Sequence, residues 1–149
     1  MKRIFGGTIF MCAMLALCWS AWANSKMTVR NGSGSSIGSI ESDGTVRNGS
    51  GSSVGKIEAG GTIRNSSGSS IGSVEAGGTI RNSSGSSIGK VDSDGTLRNS
   101  SGSSIGKLDG CTVRNSSGSS RGKFDDCSFS TDRNVMAAYL FFFTPLHNQ

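Results

Sequence analysis

The chain lacks most of the residues on which enzyme chemistry is built. Among 149 residues there is one histidine, His147, close to the C-terminus. That leaves no Cys–His pair and no Ser–His–Asp arrangement that the abundance of serine does not make trivial. The acids recur at equivalent positions, so no distinct carboxylate pair stands out. No catalytic, cofactor-binding or metal-binding residue is assigned, and no cofactor is expected. Cysteine is scarce as well. Cys12 and Cys18 lie in an apolar N-terminal stretch, which leaves Cys111 and Cys127. Two thiols are too few for a structural zinc site, and in an exported chain an even pair reads as one disulfide. A strong basic excess is missing too. Past residue 23 there are 13 basic and 10 acidic side chains, spread along the chain. Nucleic-acid binders concentrate basic charge and interleave aromatics for stacking, so nucleic acid is not an expected partner.

The first 23 residues read as a secretory signal peptide. Lys2 and Arg3 give a positive start, Ile4 to Ser20 is largely apolar, and Ala21-Trp22-Ala23 is a small-x-small cleavage signal. Cleavage after Ala23 leaves Asn24 to Gln149 as a single domain in the periplasm or outside the cell. Two competing readings fit less well. A retained anchor needs about 20 apolar residues. A lipoprotein box at Leu15-Ala16-Leu17-Cys18 needs a small residue where Leu17 stands.

What fills the mature chain is one unit written six times, over about residues 26–127. Its Arg-Asn marker falls at Arg30, Arg47, Arg64, Arg81, Arg98 and Arg114, at spacings of 17, 17, 17, 17 and 16. A fixed period of this size decides architecture first. Each unit holds two short strand-like runs, such as Thr45-Val46-Arg47-Asn48 and Ser87-Ile88-Gly89-Lys90-Val91-Asp92. Their β-branched apolar residues favour strand, and the density of Gly and Ser excludes helix. Turns such as Ser66-Ser67-Gly68 alternate with turns such as Ser93-Asp94-Gly95 or Ala76-Gly77-Gly78. The chain therefore reads as an antiparallel meander of about twelve strands. In the second strand two apolar residues stand three apart, as Ile71 and Val74 do. The glycine between them (Gly72 and its equivalents) is expected to mark a bulge that lets both face inward. The sixth unit departs from the pattern, with Arg121 in the place of Ile or Val.

The repeated arginines invite a reading as an anion-binding ring. Each unit also ends its second strand with an acid: Glu41, Glu58, Glu75, Asp92, Asp109 and Asp125. Cross-strand pairs between Arg47, Arg64, Arg81 and Arg98 and acids such as Glu58, Glu75, Asp92 and Asp109 would neutralise the ring and fix register. The structural role is preferred. Asp92-Ser93-Asp94-Gly95 has a faint calcium-loop look but lacks the distal ligands, so it is read as a turn. Cys111 and Cys127 flank the last unit, and folding that unit at its tip brings them together at its open end.

Composition changes after Ser128. Ser130, Thr131 and Asp132 are helix N-cap candidates, and Val135 to Phe143 is an unbroken run of nine apolar or aromatic residues before Pro145. The run is too short to span a bilayer and is apolar on every side, so it calls for burial all round. A barrel of about twelve strands lined only by Val, Ile and Leu leaves a lumen that needs content. A helix over about 132–143 that plugs the barrel satisfies both demands. A final long strand or a lipid-inserting tail remain alternatives. The competing architecture is a β-solenoid of 17-residue coils, with Ser/Thr rows forming a face for ice, a surface or a fibre.

Tandem Gly-Thr-(Val/Ile)-Arg-Asn and Gly-Ser-Ser-Ile-Gly units, followed by Ala137-Ala138-Tyr139-Leu140-Phe141-Phe142-Phe143, resemble the bacterial five-fold β-flower proteins over about residues 26–143. The resemblance implies a short symmetric barrel of hairpins, similar in outline to the Tubby C-terminal barrel with its central helix. Six Arg-Asn units set against a five-fold name imply five turn-linked hairpins with a lone strand at each end. No activity or functional residue comes with the family. The Tubby likeness suggests phosphoinositide or membrane-surface binding by analogy alone. The sequence thus points to an exported non-enzymatic structural or binding module. A membrane surface, a lipid headgroup or a glycan are the candidate partners.

Overall fold

The structure, a computed structural model, describes residues 26–144. The expected leader and its cleavage site lie outside the described residues. Each unit forms one hairpin. The first strands are β1 (Met27–Asn31), β3 (Thr45–Asn48), β5 (Thr62–Asn65), β7 (Thr79–Asn82), β9 (Thr96–Asn99) and β11 (Thr112–Asn115). The second strands are β2 (Ser36–Ile40), β4 (Ser53–Ile57), β6 (Ser70–Val74), β8 (Ser87–Val91), β10 (Ser104–Asp109) and β12 (Ser120–Asp125). One helix, α1 (Phe129–Phe142), follows. Every strand pairs antiparallel with its neighbours, and β1 pairs with β12 through Thr28 opposite Asp125 and Val29 opposite Phe124. The sheet is a closed twelve-strand barrel. That rules out the β-solenoid, in which coils stack without returning to the first strand.

Six hairpins are linked at the tips; counted between units, five junction turns make the five expected hairpins, β2–β3 to β10–β11, with β1 and β12 as the end strands, which pair with each other to close the ring. Five turns link successive units at the opposite end, and the β12–β1 seam takes the sixth place without a turn. The two ends differ chemically. At the tips, Asn65 Oδ1 accepts from the backbone N–H groups of Ser67 and Ser69 and from the Ser67 hydroxyl, at 3.1, 3.0 and 2.7 Å. The tip closes with Gly68 at φ +85°, a conformation that disfavours any side chain. At the unit junctions Glu75 N–H donates to Thr79 O at 2.8 Å, and Gly78 N–H donates to Glu75 O at 2.9 Å.

Alternation along each strand sorts the faces. Val46, Ile63, Ile80, Leu97 and Val113 point inward from the first strands with no exposure. On the second strands the bulge falls one residue earlier than expected. Ile63 faces Gly72 and Arg64 faces Ser70, so Ile71 is the extra residue. The glycine is a regular inward position, and the bulged Ile71 packs at the rim of the core. Glycine is required there because the helix comes too close. A Cβ on Gly72 would run into the Phe142 ring and Arg81 O, one on Gly89 into Phe141, one on Gly55 into Phe143, and one on Gly38 into the Tyr139 hydroxyl.

The helix lies inside the barrel. Met136, Ala137, Ala138 and Leu140 are fully buried although they point in different directions around the axis. This settles the tail as a helical plug, neither a strand nor an exposed lipid-inserting segment. It starts one turn earlier than the sequence suggests. The N-cap is Ser128, whose side chain makes no capping bond; instead Asp132 reaches back and accepts from Ser128 N–H at 2.7 Å. The added turn carries Phe129, whose ring lies against Gly95. Tyr139 stacks edge-on against Phe124, with ring centroids 5.8 Å apart. Cys111 and Cys127 are joined by a disulfide with Cα atoms 6.0 Å apart, tying the exit of β12 to the turn before β11.

Two expectations test this packing. Gly72→Ala should destabilise by about 1–3 kcal/mol through overpacking, whereas Gly77→Ala, where nothing lies within 4 Å of an added Cβ, should stay within about 0.5 kcal/mol. Equal losses in thermal melts of the two variants would remove the glycine–aromatic contact as the reason. Replacing both Cys111 and Cys127 by Ser should cost about 3 kcal/mol in denaturant unfolding, given the length of the closed loop.

Candidate functional site

The outer wall carries the residues singled out in the sequence. Arg47 Nε donates to Glu41 at 2.6 Å, Arg64 to Glu58 at 2.8 Å, Arg81 to Glu75 at 2.6 Å, and Arg98 to Asp92 at 2.7 Å. Arg114 reaches Asp109 at 3.0 Å. Each arginine therefore bonds the acid of the preceding unit, across the unit junction. The sixth pair, Arg30 with Asp125, spans the seam where no turn exists. Each arginine also donates through Nη1 to the glycine carbonyl at its own tip, as Arg64 does to Gly68 O at 3.0 Å. One side chain thus fastens a junction and a tip together. With these two bonds the guanidinium groups face carboxylates and carbonyls before any outside anion. Such pairs are half exposed, and individually each stabilises by no more than about 1 kcal/mol.

Two features of the surface are not shared by all units. The first is charge. Lys90, Lys107 and Lys123 project from β8, β10 and β12, three successive second strands, while the equivalent residues on β2, β4 and β6 are Ser39, Lys56 and Ser73. From β8 through β12 and on to β1, with Lys26 and Asp126 included, eight basic residues stand against five acids. Over the rest of the wall, residues 32–89, four stand against four. The net charge of the barrel thus resides on one side.

The second feature is a cavity of about 500 Å³ at the junction end. It opens where two neighbouring junctions read Ala59-Gly60-Gly61 and Ala76-Gly77-Gly78, in place of the Ser-Asp-Gly of Ser42-Asp43-Gly44 and Ser93-Asp94-Gly95. In the Ser-Asp-Gly turns the aspartate folds back on the strand: Asp94 accepts from Thr96 N–H at 2.9 Å and from its hydroxyl at 3.0 Å. The Ala-Gly-Gly turns have no such side chain. Ile57, Val74 and Val135 line the cavity, with Asp132, Asn134 and Thr131 of α1 along one wall. Val74 at 8% and Val135 at 7% are the most exposed residues of an otherwise closed core. Asn134 donates both to Glu75 O and to Ala76 O at 3.1 Å, locking the helix to this junction. The change in turn composition was visible in the sequence. Its consequence was not, because it depends on where the helix enters.

Four aspartates of the wall, Asp43, Asp92, Asp94 and Asp125, are held in their charged form. The Arg98 hydrogen bond, then the Arg98 and Lys90 charges, put Asp92 below the usual carboxylate range. Lys123 and then Arg30 do the same for Asp125. The N–H and then the hydroxyl of Thr45 and Thr96 lower Asp43 and Asp94. A carboxylate depressed on folding contributes stability above its unfolded value of about 3.9, and that stability is lost as pH falls through the folded value. The melting temperature should therefore hold level from neutral pH down to about pH 5 and fall below about pH 4. Asp92→Asn combined with Asp125→Asn should flatten that fall; an unchanged acid limb would show that these pairs do not set it.

The profile of the 5-fold beta-flower protein family matches residues 26–144. No curated protein and no solved structure matches the chain. The match covers the whole barrel and the plug helix, so this chain belongs to the 5-fold beta-flower protein family.

Proposed function

We propose that this β-flower barrel is an exported, non-enzymatic binding module that rests on the anionic surface of the cell envelope with its lysine-bearing side. The family is one of small structural repeat barrels. The observation that carries the reading is the segregation of charge: arginines recur in every unit and are held by acids, whereas three of the four strand lysines lie on the successive second strands β8, β10 and β12, the fourth being Lys56 on β4. Lys90 and Lys123 touch Asp92 and Asp125 at 3.5 and 2.8 Å, yet these acids already serve Arg98 and Arg30. This side of the wall thus keeps a basic excess, eight basic residues against five acids. A lysine near an anionic membrane surface contributes about 1 kcal/mol, so three support weak, reversible, salt-sensitive attachment. Export is supported by Lys2-Arg3, the apolar run and Ala21-Trp22-Ala23, and by a disulfide suited to an oxidising compartment.

The test is co-sedimentation with vesicles of phosphatidylcholine alone or mixed with phosphatidylglycerol. Binding should require the anionic lipid and weaken as salt rises. Lys90→Gln, Lys107→Gln and Lys123→Gln together should lower affinity by roughly a hundredfold on that scale. Equal binding to neutral vesicles, or a triple variant that binds like the parent, would count against the proposal.

A further inference from the structure

The junction-end cavity has its own chemistry, independent of the lysine side. Its volume, about 500 Å³, falls in the range of small-molecule sites. Its floor is apolar: Ile57, Val74 and Val135. Every charged residue that lines it is an acid, namely Glu58, Glu75 and Asp132. Glu58 and Glu75 give one oxygen each, Oε1, to Arg64 and Arg81. Of the side-chain donors that line it, those of Asn134 and Thr131 are already committed, which leaves the Ser73 hydroxyl. Asn134 Nδ2 serves Glu75 O and Ala76 O, and the Thr131 hydroxyl serves Ser128 O and Asp132 Oδ1 at 3.3 and 3.1 Å. Side chains around the cavity therefore offer acceptors and negative charge above an apolar floor. An occupant has to bring hydrogen-bond donors, positive charge and a short apolar body.

We propose that this cavity binds a small primary alkylammonium ion, with its chain on Val74 and Val135 and its ammonium group between Glu58 and Glu75. An anion finds carboxylates at the mouth. A neutral alcohol fits the floor but leaves the ionic acceptors without a cation. The site lies over β4 to β7, within the part of the wall where basic and acidic residues balance. A cation approaching it faces Lys56 of β4 but not the three lysines of β8, β10 and β12.

The experiment is a titration of the purified protein followed by amide NMR, with n-pentylammonium, n-pentanol and pentanoate as probes. Pentylammonium should shift the amides of Ala59, Gly60, Ala76 and Thr131 saturably, and bind at least tenfold more tightly than pentanol. Pentanoate should leave them unmoved. Ala76→Phe, an exposed turn position at the mouth, should abolish the shifts while its melting temperature stays near that of the parent. Glu58→Gln with Glu75→Gln should lower pentylammonium affinity about tenfold and leave pentanol binding as it was. Pentanol binding as tightly as pentylammonium, shifts that persist in Ala76→Phe, or no saturable shift with pentylammonium in the folded parent would each overturn the proposal.

Discussion

Everything in this molecule depends on fitting a helix through a closed ring of twelve strands. A helix with its side chains is about 10–12 Å across, and the aromatic residues at the end of α1 are larger than most. The wall admits them by giving up side chains. At Gly38, Gly55, Gly72 and Gly89 the inner surface is bare backbone, and Tyr139, Phe143, Phe142 and Phe141 occupy the space that side chains would have taken. The repeated glycine and the aromatic tail are two halves of one packing solution. Neither makes sense alone: a glycine-lined barrel without the helix is hollow, and the helix without the barrel exposes an apolar surface on every side.

The same constraint explains why the bulge lies where it does. If the glycine itself were the extra residue, Ile71 and Val74 would lie on one face and the glycine would turn outward. The aromatic ring would then meet a β-branched side chain. Placing the bulge at Ile71 keeps Gly72 and Val74 both inward, and sends Ile71 to the rim, where it closes the core beside the tips. Period-two alternation decides the face of each residue only once the bulge is located. In Arg121 the sixth unit puts a guanidinium at this rim position, with Nε buried and without a hydrogen-bond partner among the described residues.

Much of this was legible in the sequence because the repeat multiplies each signal. Six Arg-Asn markers, two turn chemistries and the nine-residue apolar run are enough to specify a plugged antiparallel barrel and the Cys111–Cys127 bond. What stayed hidden needed three-dimensional neighbours. Asp132 looks like an N-cap candidate but sits inside the first turn, holding Ser128 N–H. The closure of the ring depends on the β12–β1 seam, which no turn residue advertises. The cavity depends on the entry path of α1, with Phe129 against Gly95 on one side and Asn134 bound to Glu75 and Ala76 on the other. Local sequence sets strands and turns; the packing of one asymmetric element against a symmetric wall sets the rest.

That asymmetry also says where function belongs in a barrel of this kind. A single helix cannot treat six equivalent units equally, so each unit meets a different neighbour and the units must differ where the helix presses or withdraws. The seam is the one place in the ring where no turn joins neighbouring strands. There the ladder is reinforced by Arg30 with Asp125, by Phe124 stacked on Tyr139, and by a disulfide that fixes the point where the chain leaves the wall. The part of the wall over β4 to β7 needs no such reinforcement, and there the turns lose their aspartates and the core opens to the surface at Val74 and Val135. The repeated residues build the ring, and the positions at which the repeats disagree decide where the core opens.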